Sequence, residues 1–340
     1  MFSFKEITEE KIWNEFVLSC DPNTFLNSFA WGEVETDLGR KVIRIGIFDG
    51  NEQIGALLAV LVPARRGSIL LCPHGPLVKD RVSIEEVLPD VRDELSRIGR
   101  IEKCVCVRIC PLLSDIPEHR KIFSSCGFKP APIHVYSELS WILDITPPEA
   151  ALLSGMKKNT RYGIRKAEKD GVTVSSSIAV EDIDTFWRLY VRTADRQGFV
   201  VYPRSMIEAE FRRFAERGKA RWYFAKFQET LVSAALIVYS DTTAFYHHGA
   251  SLHATGSITP GEALQWKIIK DAKASGLKRY NFWGVVPDDQ PKHPWAGLSK
   301  FKKGFGGYPE AYVHAQDLPL SLRYWIMWAI ETFRRWKRRV

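Results

Sequence analysis

The sequence predicts a mixed α/β chain built from two tandem copies of one module. Three observations predict it. A strand–turn–strand–helix–strand pattern occurs twice, the two occurrences keep nearly one spacing, and no G-x-G-x-x-G follows a strand, which argues against a dinucleotide-binding fold. In the first copy Val42–Phe48 reads as a strand, Asp49-Gly50-Asn51 as a turn and Ile54–Val62 as a second strand, because Asp-Gly between two apolar runs marks a hairpin. A helix over Ser83–Ile98, stopped by Gly99, and a strand over Lys103–Cys110 complete it. The second copy has strand Arg221–Phe227, turn Gln228-Glu229-Thr230 and strand Leu231–Tyr239. Strand Thr243–His248, helix Pro260–Ser275 stopped by Gly276, and strand Lys278–Trp283 follow. Gly46 corresponds to Ala225, 179 residues on, and Gly99 to Gly276, 177 residues on.

Helices flank both cores. Glu9–Leu18 and Trp31–Leu38 open the first module; Pro147–Asp170 and Glu181–Gln197 open the second, with Pro147-Pro148 at the helix start and Gly171 at its end. The fold class is therefore α/β (α+β), and the arrangement resembles two tandem N-acetyltransferase-like (GNAT) domains. Their expected spans are 1–145 and 146–317.

Composition excludes several classes. At 340 residues and 38.9 kDa the chain has room for two domains. With 45% hydrophobic and 26% charged residues it is not disordered as a whole. The longest apolar run, Ala56–Pro63, is far short of the about 18 residues a spanning helix needs. The N-terminus carries acids where a secretory signal carries bases, so a cytosolic protein is expected. Cys20, Cys72, Cys104, Cys106, Cys110 and Cys126 form no CxxC pair and read as buried thiols. His247 and His248 are adjacent rather than at ligand spacing, so neither a metal site nor a cofactor is expected.

The net charge of +8 is uneven, because residues 321–340 carry +5 of it. A second basic concentration lies at Lys157–Lys169. Lys158, Arg161, Arg165 and Lys169 fall at i, i+3, i+7 and i+11, one face of a helix. Such a stripe reads either as a solvated face or as a track for the phosphates of a nucleic acid.

The densest segment is Tyr280–Pro309, YNFWGVVPDDQPKHPWAGLSKFKKGFGGYP. It joins aromatics, three glycines in four positions, and Lys300, Lys302 and Lys303. Glycines admit close backbone approach, and a lysine beside them suits an oxyanion that develops during acyl transfer. Phe282, Trp283, Trp295, Phe301 and Phe305 make the segment too apolar for a merely solvated loop.

This block resembles the end of the Fem family, aminoacyl-tRNA-dependent peptidyltransferases of peptidoglycan cross-bridges, whose fingerprint is approximately YDFWGI…HPxxGxxxFKxxFGG. Further matches are FLNSFAWGEVETDLG at 25–39, PHGPLVKD at 73–80, MKKNTRYGIRKAEKDGV at 156–172, FYHHGAS at 245–251 and ALQWKIIKDAKASGLKRYNFWG at 263–284. The resemblance covers nearly the whole chain, in order, and matches the compact members without a long helical arm. It implies two acyltransferase-like domains, the first completed by the C-terminal helix over 318–340. It implies transfer of an amino acid from aminoacyl-tRNA to a stem-peptide amine of lipid II or a UDP-linked muropeptide. Lys302 then stabilises the tetrahedral transition state and Phe301 positions the acceptor. The basic face of Lys158, Arg161, Arg165 and Lys169 contacts tRNA. Arg196 and Tyr246 lie where the family contacts the muropeptide, and His248, Trp283 and Gly306 are candidates for the same ligand. His248 also reads as a satisfied sheet histidine, and His74, between Pro73 and Gly75, as a turn residue whose neighbours matter more than its imidazole.

Three departures stand out. Cys110 in Arg108-Ile109-Cys110-Pro111 occupies the place of an acidic residue, Asn281 that of the aspartate in YDFWG, and Glu35 that of a lysine for the nucleotide-sugar diphosphate. The last departure favours a lipid-linked acceptor. Near the C-terminus Trp325, Trp328, Ala329 and Trp336 recur at helical spacing before Arg334, Arg335, Lys337, Arg338 and Arg339. The expectation is packing for the first half of this helix and peripheral contact with an anionic bilayer for its last turns. A monomer is expected. Two other readings stay open, an acyl-CoA-dependent N-acyltransferase and a non-catalytic RNA-binding protein. Against the first, the local approximation to a Q/R-x-x-G-x-G/A loop begins with Phe301.

Overall fold

The computed structural model describes residues 1–65, 67–252 and 258–338. The chain divides into two compact units, 1–138 with 311–340, and 139–310. The first contains β1 (Ser3–Glu6), α1 (Glu10–Leu18), α2 (Phe29–Asp37), β2 (Lys41–Asp49), β3 (Glu52–Val62), β4 (Ile69–Cys72), β5 (Leu77–Val78), α3 (Ile84–Ile101), β6 (Cys106–Ile109), α4 (Pro117–Ser125) and β7 (Lys129–Pro130). The second contains β8 (Leu139–Asp144), α5 (Glu149–Gly155), α6 (Lys158–Lys169), β9 (Thr173–Ser177), α7 (Ile183–Gln197), α8 (Arg204–Ala215), β10 (Ala220–Phe227), β11 (Thr230–Tyr239), β12 (Thr243–Ser251), α9 (Pro260–Ala274), β13 (Arg279–Gly284), α10 (Ala296–Lys303) and β14 (Tyr308–Ala311). The chain then re-enters the first unit as β15 (Gln316–Pro319) and α11 (Arg323–Arg338).

The duplication is visible in the sheets. One runs β1-β2-β3-β4-β6-β15-β7, with β5 against β3; the other runs β9-β10-β11-β12-β13-β8-β14. The two orders match position for position, and in both the fourth and fifth strands pair in parallel. Helices α3 and α9 occupy the same place in the two repeats. Two consequences differ from the expected spans. Residues 139–145 carry β8, which pairs with β13 of the second sheet, and residues 311–317 return to the first unit, where β15 pairs with β6. Each sheet thus takes its sixth strand from a segment outside its own run of hairpins.

Local chemistry explains the other differences. Helix α3 runs through Gly99 to Ile101, because Gly99 is buried under Leu320; a Cβ there would lie 2.4 Å from Leu320 Cδ1. Lys103, with φ of 54°, turns the chain in its place. The helix expected over Pro147–Asp170 is two helices, broken at Met156 and Lys157, both in extended backbone. In the second hairpin Gln228 and Glu229 take the left-handed conformations (φ 45° and 59°) that a tight two-residue turn demands.

Each unit has its own core. In the second, Trp222 stacks between Phe186 and Phe211 at centroid distances of 5.0 and 4.4 Å, contacts that contribute about 0.5–1.5 kcal/mol each beyond area burial. All six cysteines are buried and unpaired. His74 is not a bystander of its turn. It sits at φ 45°, its Nδ1 lies 2.8 Å from Thr24 Oγ1, and its carbonyl accepts from Asn27 Nδ2 at 2.8 Å. Burial holds its pKa down to about 3, so the ring is neutral.

Helix α11 is anchored to the first unit by buried charge. Arg108 on β6 donates both Nε and Nη2 to Asp317 on β15, at 2.6 and 2.8 Å, and Nη2 also reaches Glu331 on α11 at 2.8 Å. Tyr324 donates to Asp317 at 3.3 Å. The side chains of α11 that pack are Tyr324 and Met327; Trp325 and Trp328, expected on the packed face, remain exposed. Arg339 lies outside the described residues.

Candidate active site

The site is built where β12 and β13 part. Their parallel pairing covers only Thr243–Phe245 against Arg279–Asn281. Beyond that point both strands are irregular. β12 carries a bulge at His247, and the pairing of β13 with β8 shifts between Asn281 and Gly284. Trp283 takes a left-handed conformation, φ 63°, which costs a bulky residue energy and marks a position under functional or structural demand. Asn281 supports it: its Oδ1 accepts from the Trp283 N–H at 2.7 Å. A neutral amide oxygen suffices for that bond, which accounts for asparagine where the motif has aspartate.

The turn aims the Gly284 carbonyl at Lys302 on α10. Lys302 Nζ donates to it at 2.6 Å and lies 5.8 Å from the centre of the Tyr246 ring. Lys302 is 5% exposed, and among the described residues no carboxylate pairs with it. Burial alone pushes its pKa down to about 7. Helix α10 is held in this register by two further bonds, Ser299 Oγ accepting from the Val286 N–H at 2.9 Å and Lys303 Nζ donating to the Val286 carbonyl at 3.0 Å. Asp288 ties down Lys303 at 2.7 Å, a loop-ordering role. Tyr246 lies over Gly249, where any Cβ would collide with its ring. Phe301 is half-buried, edge-on to Phe305 at 5.3 Å and against Gly261 at the start of α9.

Lys302 and Tyr246 thus meet at the parted strands, with Trp283 in the adjoining turn, while Phe301 follows Ser299 and Lys300 on α10 and packs on Phe305 and the start of α9. The other candidates do not join them. His248 turns away to Glu210 on α8: its Nε2 is 3.0 Å from Glu210 Oε2, while His247 Nδ1 is 2.7 Å from Oε1. The bulge at His247 sends both imidazoles to one buried carboxylate. Burial opposes ionisation of Glu210, but the two rings outweigh it and hold the pKa at about 2. His247 then meets the edge of Trp283 at 5.5 Å, so this cluster supports the site from behind. Arg196 is exposed and donates to the Ser251 carbonyl at 3.0 Å, at the far end of β12. Gly306 (φ 85°) and Gly307 (φ 93°) allow close packing rather than forming a cradle: a Cβ on Gly306 would lie 3.2 Å from the Gly155 carbonyl, and the Gly306 carbonyl accepts from Trp141 Nε1 at 2.6 Å.

On α6 the buried face is Thr160, Gly163, Ile164 and Ala167. Lys158, Arg165 and Lys169 are exposed, as is Tyr162 at 64% on the same side. Arg161 is committed elsewhere; its guanidinium binds the carbonyls of Ser154 and Met156 and closes the end of α5. The two departures in the first unit are internal. Burial drives Cys110 well above the ordinary thiol range, so it is a neutral thiol and no carboxylate substitute. Glu35 is buried in an ion pair with Arg40 and is unavailable to a ligand.

Neither Glu210 nor the pair Glu138–His314 stands out in sequence. Their partners lie 37 and 176 residues away, and no local pattern marks them.

Residues 154–302 match the acetyltransferase (GNAT) domain family, a span that contains α6 and Lys302. The chain is a homologue of the lipid II:glycine glycyltransferase of Staphylococcus aureus (strain USA300), at 23% identity with 90% of each chain covered. Its fold is similar to the crystal structure of FemX, with a TM-score of 0.81, 21% identity, and 97% of this chain and 100% of that one covered. It is also similar to a tandem GNAT protein from the clavulanic acid biosynthesis pathway, with a TM-score of 0.60, 12% identity, and 94% and 99% covered.

Proposed function

We propose, from this kinship with Fem-type transferases, that the chain is an aminoacyltransferase moving an amino acid from aminoacyl-tRNA to the stem-peptide amine of a peptidoglycan precursor. The observation that carries the reading is Lys302, a buried lysine beside parted strands with no counter-charge among the described residues. A buried charge left unpaired is costly, and it is retained where an anion comes and goes. The amine attacks the ester carbonyl, the new C–N bond forms, and the carbonyl oxygen gathers negative charge. Lys302 stabilises that oxygen, having no competing carboxylate among the described residues. Collapse breaks the ester C–O bond, and the proton lost by the amine leaves with the ribose oxygen of the tRNA. The nucleophile and the activated ester need orientation and one positive charge, which Phe301, Trp283, Tyr246 and Lys302 supply.

Lys158, Arg165 and Lys169 form the exposed basic track for tRNA, with Tyr162 among them able to stack on a base. Glycine is the first amino acid to test, since the staphylococcal homologue is a glycyltransferase. The test is transfer of label from aminoacyl-tRNA to lipid II or UDP-linked muropentapeptide, with labelled acyl-CoA in parallel. Label in the acceptor from tRNA alone is expected; label from acyl-CoA alone overturns the reading.

Helix α11 bears on where the acceptor is met. No helix among the described residues is long and apolar enough to cross a membrane. Yet Leu322, Trp325, Ile326, Trp328, Phe333 and Trp336 are all exposed on or beside this one helix, with Arg334, Arg335 and Lys337 near its end. Tryptophans and bases on one helix suit the interface of an anionic bilayer, where each base adds about 1 kcal/mol. Replacing Trp325, Trp328 and Trp336 together by serine is expected to cut co-sedimentation with phosphatidylglycerol vesicles by about tenfold. Undiminished binding by that variant removes α11 from the account.

A further inference from the structure

We propose that His134, Glu138 and His314, in the first unit, form a binding site for a divalent transition metal of the zinc class. His134 Nδ1 and His314 Nδ1 lie 2.5 and 2.8 Å from one atom, Glu138 Oε2. The ligand atoms of the three residues converge within 4.8 Å of one another.

Hydrogen-bond accounting leaves the point between His314 Nδ1 and Glu138 Oε2 to a proton or to a metal ion that displaces it. His314 Nε2 lies 2.6 Å from the Ala131 carbonyl, which can only accept, so Nε2 carries the hydrogen. In a neutral ring Nδ1 is then a bare lone pair, aimed at a carboxylate oxygen. Two lone pairs repel at that distance unless a positive charge lies between them. The same arrangement is the usual support of a metal-bound histidine, whose other nitrogen donates to a backbone carbonyl. Glu138 is prepared in the same way. Its Oε1 accepts from the Ala315 N–H at 2.9 Å, which leaves Oε2 for the shared point.

The frame is stiff where it must be and open where a ligand must enter. The Tyr312 N–H donates to the Glu138 carbonyl at 2.7 Å, and the Ala131 N–H to the Ala315 carbonyl at 2.7 Å, so the two backbone segments are stitched together. His134 has a 56% exposed side chain and can adjust. Tetrahedral zinc with ligands at about 2.0–2.1 Å sets ligand atoms about 3.3 Å apart, so the two N···O distances must open by about 0.5–0.8 Å and the widest separation, at most 4.8 Å, must close by at most about 1.5 Å. Two nitrogens and one carboxylate leave a fourth position to water, and imidazole with carboxylate suits zinc, nickel or copper. The second His–carboxylate group, Glu210 with His247 and His248, lacks this form, because its two rings bind different carboxylate oxygens within the core. Glu138 is the last residue before the chain leaves the first unit, and His314 follows closely on its return at 311, so the ion would clamp both crossing segments.

The test uses the full chain, stripped with EDTA and titrated with zinc chloride at neutral pH by calorimetry, with metal content measured after gel filtration. One equivalent is expected, with a rise in the melting midpoint. His134→Ala should weaken binding by at least about tenfold while leaving the metal-free melting midpoint unchanged, since the ring is on the surface. Glu138→Gln should do the same to binding. Absent or non-stoichiometric zinc overturns the proposal, as does binding that survives both substitutions.

Discussion

Replacing Lys302 by methionine is expected to lower kcat by about 10²–10³-fold, the usual cost of removing one preorganised stabiliser of an oxyanion. Affinity for aminoacyl-tRNA should change little, whereas Arg165→Glu with Lys169→Glu should weaken it and flatten its salt dependence. Loss of tRNA affinity in the Lys302 variant, with turnover of bound substrate intact, would sink the assignment. The fold should survive the change. Burial lowers the lysine from its ordinary 10.5 to about 7 in the folded state, so the unfolded chain binds the extra proton between those values. The folded protein therefore carries a penalty that is full below pH 7 and fades as pH rises towards 10.5. Methionine removes that penalty, and the variant should melt no earlier at pH 7. The same titration shapes the rate. An alkyl amine acceptor with a pKa near about 10 makes log(kcat/KM) rise with unit slope at low pH, and loss of the Lys302 proton should level it above about 7. Lys302→Arg, which keeps its charge, should continue rising through pH 8.5. A wild-type profile that keeps climbing through 7–8.5 would instead make neutral Lys302 a proton acceptor.

Replacing Asp317 by alanine is expected to destabilise the first unit by about 3–5 kcal/mol, the cost of stranding a buried charge. Arg108 would lose its bidentate partner and keep only Glu331. Urea or thermal melts of the full chain measure it, and a loss below about 1 kcal/mol would show that water or Glu331 satisfies the guanidinium. The double variant Arg108→Met, Asp317→Leu tests the physics further, since removing both charges should restore most of the loss.

The hairpins, the repeat and the Tyr280–Gly307 block were legible because their signals are local: Asp-Gly between apolar runs, one offset shared by distant landmarks, and a lysine among aromatics and glycines. The sharing of strands was not, because β8 and β15 look like ordinary strands and only their register shows which sheet takes them. Gly99 misled for a related reason. Its role is set by Leu320, more than two hundred residues away, and not by its neighbours. Spacing placed Arg161 on the basic face of α6, but its guanidinium finds closer acceptors at the end of α5. His248 was legible both as a ligand contact and as a satisfied sheet histidine, and the bulge at His247 decides for the second by turning it to a carboxylate on another helix.

The sixth strand of the first sheet has a consequence for the order in which the protein can form during synthesis. The second unit is one unbroken stretch, residues 139–310, and can assemble as soon as that stretch has left the ribosome. The first unit begins earlier but must wait, with the flank of β6 unpaired, until residues 316–319 are made and threaded between β6 and β7. Translation runs in one direction while completion runs in the other: the amino-terminal half is the last to close. A chain terminated between residues 310 and 316 would therefore be released with its second unit whole and its first an open sheet, the form that chaperones and proteases would meet.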